Sequence, residues 1–207
     1  QFVHHSLALV NREICLRLVE RGHELSIIPY EHDQFGPEAD GRFRQIAWRV
    51  RAPLSRPADV HVRHQWPPLF RPPGSMPWVM IQPWEYGSLP REWIAPLSTR
   101  VDEVWVPTHY VRDCFLRSGV APDRVVVVPN GVDVGCYRPG RRPYPLKTRK
   151  SFRFLFVGGT IWRKGIDILL DAYANAFTAR DDVCLVIKDM GGDTFYRGQT
   201  ARQRIQE

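Results

Sequence analysis

The sequence predicts an α/β fold built on a parallel sheet, and three observations carry that reading. Short apolar runs alternate with stretches of helical spacing. Residues 125–128 are four consecutive valines, the pattern of a strand buried on both faces. Residues 154–173, FLFVGGTIWRKGIDILLDAY, read as strand, glycine loop and helix in direct succession.

Taken in order, residues 7–21 place Leu7, Val10, Ile14 and Leu18 at helical spacing, with Ser6 as N-cap and Gly22 as the stop. Residues 25–28 read as a strand, and residues 33–56 form a polar stretch with a weak signal. A short strand at 60–62 leads into His64, Gln65, Trp66 and two prolines. The apolar run 78–81 ends at Gln82-Pro83. Another run covers 104–106, after which Thr108 caps a helix ending near Gly119. After the valines, Asn130-Gly131 is a turn dipeptide at which the chain is expected to reverse.

The texture then changes. Residues 137–150 hold three prolines, one glycine and six Lys or Arg residues, as a linker would. From Phe152 a strand, the glycine loop and a helix follow, the helix with Ile166, Leu169, Leu170, Tyr173 and Phe177 along one side. A strand at 184–187 completes one βαβ unit. The expected organisation is a first domain over 1–136, a linker over 137–151 and the start of a second domain over 152–207. No leading strand precedes the first helix, and the chain stops in the polar stretch TARQRIQE. Both ends therefore read as cut, and a 207-residue product is expected to be inactive by itself.

Composition narrows the partners. The net charge is +7, which favours anionic ligands: nucleotide-linked substrates, acidic lipid surfaces or nucleic acid. Cys15, Cys114, Cys136 and Cys184 lie far apart, without a CxxC pair or a Cys/His cluster of zinc spacing. They read as free thiols in a reducing, cytoplasmic compartment. No apolar run spans a bilayer and no signal peptide is present, while a peripheral membrane contact stays open.

Three places could carry chemistry. At the glycine loop, Gly158 and Gly159 allow close backbone approach, and Arg163 and Lys164 stand where a helix is expected to begin. Together they suit a phosphate or diphosphate; an ordinary strand-turn-helix corner with two solvated cations is the plainer reading. The Walker pattern is absent because Gly165 follows Lys164, and GxGxxG is absent too. At the predicted sheet edge, His64 could act as a base or orient a hydroxyl, or be a structural histidine bonded to backbone. Glu85, between Trp84 and Tyr86, could grip sugar hydroxyls, or be satisfied locally beside an aromatic cluster. His4 and His5 precede the first helix and could face a ligand, although exposed loop histidines are common. No metal-ligating cluster and no paired carboxylates of the DxD kind are seen.

With these residues in hand, the chain resembles the retaining group 1, family 4 glycosyltransferases of GT-B fold. The resemblance rests on HHSLALVNRE, VDEVWVPTHYVRDCF, VPNGVD and FLFVGGTIWRKGIDILLDAY, in that order. It implies two Rossmann-like domains, the second only partly present here, with transfer in the cleft between them. A hexosyl group would pass from a nucleoside-diphosphate sugar to a hydroxyl of a carbohydrate, lipid-linked or protein acceptor, with retention. Lys164 matches the family lysine on the donor diphosphate, and Gly158 and Gly159 match its glycine loop. No metal or other cofactor is implied, since cations stabilise the departing diphosphate. Two departures stand out. Gly159 occupies a position where many members have Arg, for which Arg163 compensates. Gln82-Pro83 occupies a strand end where many have His, for which His64 is the substitute. The family's paired-glutamate segment would lie beyond Glu207. A different GT-B nucleotide-sugar transferase or epimerase is the alternative enzyme. A basic nucleic-acid-binding module is the non-enzyme alternative, without a recognisable motif.

Overall fold

A computed structural model describes residues 2–189 and 200–206. The chain divides into two compact units, Gln1–Tyr137 and Arg138–Glu207. The first is organised by a four-stranded parallel sheet of order β1-β2-β3-β4, formed by His61–Arg63, Trp78–Ile81, Glu103–Val106 and Val125–Val127. Val79 pairs with Val62 on one side and Glu103 on the other, and Val104 pairs with Val125. Strand order follows chain order and every pairing is parallel, so each strand ends on the same edge of the sheet.

Helix α3 (Arg91–Thr99) joins β2 to β3, and α4 (His109–Arg117) joins β3 to β4. Both lie against the sheet in one core: Trp93 and Leu97 from α3, Val111 and Phe115 from α4, and Trp78, Met80, Val104 and Val106 from the strands. Thr108 caps α4 as the sequence predicts, its side chain accepting from the Val111 amide at 3.2 Å. Loss of that cap in Thr108→Ala is expected to cost about 1 kcal/mol, read as a lower midpoint in urea with an unchanged slope.

A second cluster lies around α1 (Ser6–Glu20) and α2 (Arg44–Ala47), with Phe2, Leu16, Ile27, Phe43 and Ile46 buried together. Buried Arg12 lies over the rings of Phe35 and Phe43 and donates to the Val3 carbonyl. The predicted strand at 25–28 is reduced here to one parallel bridge, Ile27 to Val50. Ile28 is exposed and Pro29 has no N–H to donate, so the ladder goes no further.

Two further expectations are corrected. The valines at 125–128 are not buried on both faces: Val126 and Val128 are about two-fifths exposed (38% and 40%). Strand β4 pairs only with β3 among the described strands, and it alternates as an edge strand does. The chain also does not turn at Asn130-Gly131. The turn comes at Asp133, whose carboxylate accepts from the amides of Gly135 and Cys136 while its carbonyl accepts from Tyr137.

In the second unit β5 (Phe152–Val157) and β6 (Val183–Lys188) pair in parallel across α5 (Ile166–Ala176). Phe154, Tyr173 and Phe177 form the aromatic contact between strand and helix. Ile166 is buried, whereas Leu155, Val157 and Ile168 are exposed. Near the C-terminus, Ala201–Gln206 forms α6.

Candidate functional site

The carboxyl edge of a parallel sheet is where α/β domains build ligand sites, and the first unit has a cleft of about 100 Å³ there. Ile81 and Pro83 border it at the end of β2, Pro107 after β3, and Val128 and Asn130 after β4. The opposite wall is the start of α1, from Ser6, Leu7 and Val10, and His64 follows β1 into the same cleft. No carboxylate is among these lining residues.

His64 is the titratable group of this site. Its Nδ1 lies 2.7 Å from Asn11 Oδ1, and Asn11 Nδ2 donates to the His64 carbonyl at 3.3 Å. That reciprocal pair places the proton on Nδ1. Nε2 is then the lone-pair nitrogen, and it is buried with no hydrogen-bond partner in the protein. Burial, reinforced by His5, pushes the His64 pKa down to about 4. The ring is therefore neutral at pH 7: a weak base, but a well-oriented hydrogen-bond acceptor. Asn11 escaped the sequence reading, although Leu7, Val10 and Asn11 share one helical face by spacing.

His5 has a different place from the one expected. It is the N-cap of α1, in the role predicted for Ser6: Nδ1 accepts from the Ala8 amide at 3.2 Å and Nε2 donates to Glu31 at 2.7 Å. It shapes the helix start whose next residues border the cleft, and is not itself a lining residue. His4 donates through its amide to Gln34, and its ring packs on Phe35. Gln82, at the strand end, is 1% exposed; its Nε2 donates to the Pro83 carbonyl while its Oε1 is buried without a partner.

Glu85 is exposed on the loop after β2 and does not line the cleft. Its neighbours belong to an aromatic cluster drawn from two loops and α3. Trp84 packs edge-on against Trp93 at 5.0 Å and Tyr86 at 5.2 Å, and Trp66 lies 6.4 Å from Trp84. Arg63 fixes the first of these loops by donating to the carbonyls of Leu69 and Arg71, and lies over the Trp78 ring.

The glycine corner stands in the second unit. The Gly158 amide continues the ladder to the Lys188 carbonyl, and Gly159 and Thr160 are buried behind it. Trp162–Lys164 then forms a single 3₁₀ turn, with Arg163 and Lys164 exposed. As the sequence predicts, helix α5 begins just past the loop that ends in Arg163 and Lys164, after Gly165. That residue adopts the left-handed conformation (φ 67°, ψ 31°) natural to glycine and gives no side-chain cap. The two cations therefore precede an N-terminus that no side chain of its N-cap closes. Asp167 in the first turn of α5 offsets part of the positive field there. Among the described residues no group of three or more His, Cys, Asp or Glu is placed to hold a metal ion, and no helix is long and apolar enough to cross a membrane.

Comparison with known families adds one finding. Residues 48–135 match the model of Glycosyltransferase Family 4. The matched span contains β1 through β4, α3 and α4, and with them His64, Glu85 and most of the sheet-edge wall. It supports a glycosyltransferase, with sugar donor and acceptor as substrates in general. No curated protein and no solved structure matches the chain.

Proposed function

We propose that the chain forms part of a retaining GT-B glycosyltransferase that moves a hexosyl group from a nucleoside-diphosphate sugar to a hydroxyl acceptor. The observation that carries the reading is the cleft itself. It lies at the carboxyl edge of a parallel sheet whose four strands fall inside the span similar to Glycosyltransferase Family 4, while the start of α1, outside that span, forms its other wall.

The parts divide by chemistry. The donor diphosphate belongs at the corner of Gly158, Gly159, Arg163 and Lys164, where exposed cations and backbone amides counter the charge that builds on the leaving group. The acceptor belongs at the sheet edge. There neutral His64, held by Asn11, accepts a hydrogen bond from a substrate hydroxyl and orients it; with a pKa near 4 it is poorly suited to take the proton outright. Glu85 and the aromatic residues beside it offer a carboxylate and ring faces to a sugar further out along the same loop. The four cysteines are free, which suits a reducing, cytoplasmic location.

Incubation of the full-length gene product with a panel of nucleoside-diphosphate hexoses tests the reading. Release of nucleoside diphosphate that depends on a hydroxyl acceptor, with an unchanged anomeric configuration in the product, is expected. Absence of transfer or donor hydrolysis with every donor overturns it. Activity is also expected to survive EDTA, because Arg163, Lys164 and backbone amides supply the neutralising charge. Loss on chelation with recovery on adding Mg²⁺ or Mn²⁺ indicates metal-assisted departure instead.

A further inference from the structure

The net positive charge of this protein comes from one stretch of chain. Residues 134–166 contain nine Lys or Arg residues and no Asp or Glu; outside them, 20 Lys and Arg face 22 Asp and Glu, a net of −2 against +7 for the whole. Six of the nine stand at Arg138, Arg141, Arg142, Lys147, Arg149 and Lys150. Residues 138–147 are exposed throughout, without helix or strand, and prolines 139, 143 and 145 punctuate them. Among the cations Tyr144 is 82% exposed and Leu146 37% exposed. Lys150 is anchored on the carbonyls of Ala179 and Asp181, which ties the end of the segment to the second unit.

We propose that residues 138–149 form a docking surface for an anionic lipid bilayer. A cluster of Lys and Arg gathers at a negatively charged leaflet, each cation near the surface strengthening attachment by roughly fivefold. Tyrosine and leucine side chains among the cations suit the boundary between headgroups and acyl chains, where amphipathic rings collect. An aliphatic side chain such as Leu146 gains nothing on a nucleic-acid backbone but is buried by a bilayer. The near-neutral remainder of the chain has no net charge to compete for the same surface.

Vesicle co-sedimentation of the full chain provides the test, with phosphatidylcholine alone and with about 30 mol% phosphatidylserine added, at about 50 mM and 500 mM salt. Binding is expected only with the anionic lipid and is expected to weaken steeply with salt. The triple variant Arg142→Glu, Lys147→Glu, Arg149→Glu is expected to lose binding by on the order of 100-fold or more. A control carrying Arg21→Glu, Arg44→Glu and Arg91→Glu has the same net charge, and it is expected to keep most of the binding. Circular dichroism checks that each variant is folded. Equal losses in the two variants overturn the assignment to this segment. Binding to neutral vesicles, no binding at all, or displacement from anionic vesicles by a single-stranded oligonucleotide at equal charge concentration overturns the bilayer as the partner.

Discussion

Lys164→Ala is expected to reduce nucleotide-sugar turnover by roughly 30- to 1,000-fold, or about 2–4 kcal/mol, the scale for losing one preorganised group that meets charge developing on a leaving group. The lysine stands in a 3₁₀ turn directly before a left-handed glycine, and the N-cap of α5 contributes no capping side chain. A diphosphate seated there would meet the ammonium and the first amides of the helix together. Because the leaving group gains charge as the glycosidic bond breaks, the loss is expected mainly in kcat, with a smaller change in KM. Arg163→Ala, one residue earlier in the same turn, is the companion variant. Steady-state kinetics of the full-length enzyme with both variants make the measurement. Rates within a few-fold of wild type remove Lys164 from the donor site.

The parts of the fold legible from sequence were those whose signals are local. Strand β2 is an apolar run bounded by Pro77 and Pro83, and the structure begins and ends it within those prolines. Helix α4 announces itself through Thr108 and stops before Gly119, which takes a positive φ of 100°. Helix α3 has no such signals. Its N-cap is Pro90, which cannot cap, and Pro96 interrupts its interior. Burial of Trp93 and Leu97, four residues apart, decides it instead, and that is tertiary information. The valines of β4 misled for a related reason. A run of β-branched residues signals a strand, but whether its outer face is covered depends on which neighbours the topology supplies.

The candidate site divides in the same way. The rule that sites follow parallel strands at their carboxyl ends was enough to select His64 and the loop after β2. It could not show that Glu85 stays exposed and off the cleft while Pro83, two residues earlier, borders it. Nor could it supply Asn11, which is 53 positions from His64 in the chain and meets it only because the start of α1 borders the cleft at the sheet edge. His5 looked like a ligand-facing loop histidine because a histidine N-cap has no strong sequence signature; Ser6 beside it is the commoner choice. Gly165 was informative in a way the Walker comparison hid. Its presence excludes that motif, and its left-handed backbone sets the offset between Lys164 and α5.

The protein is expected to lose stability as pH falls from 6.5 to about 4, and His64 is expected to supply the largest single share of that loss. In the unfolded chain this imidazole takes up its proton near 6.5; in the folded chain burial beside His5 delays protonation to about 4. Between those values the unfolded state binds more protons, so acid favours unfolding. The full effect, reached below the folded value, is about 3 kcal/mol. His61, with its pKa lowered by partial burial and by Arg63, contributes in the same direction. Glu24, Asp40, Asp181 and Asp182 have carboxyl pKa values held below their usual range by hydrogen bonds, so they act at lower pH and leave most of the window to the histidines. The comparison that isolates His64 is His64→Asn. The amide can still donate to Asn11 Oδ1 in place of Nδ1–H, but it does not titrate. Urea unfolding of both proteins across this range is expected to show the wild-type midpoint falling with acid and the variant's midpoint nearly flat, apart from the share due to His61. Parallel curves mean that the buried Nε2 takes its proton as readily in the folded protein as in the unfolded chain. In that case the neutral hydrogen-bond acceptor assigned to the cleft is lost with it.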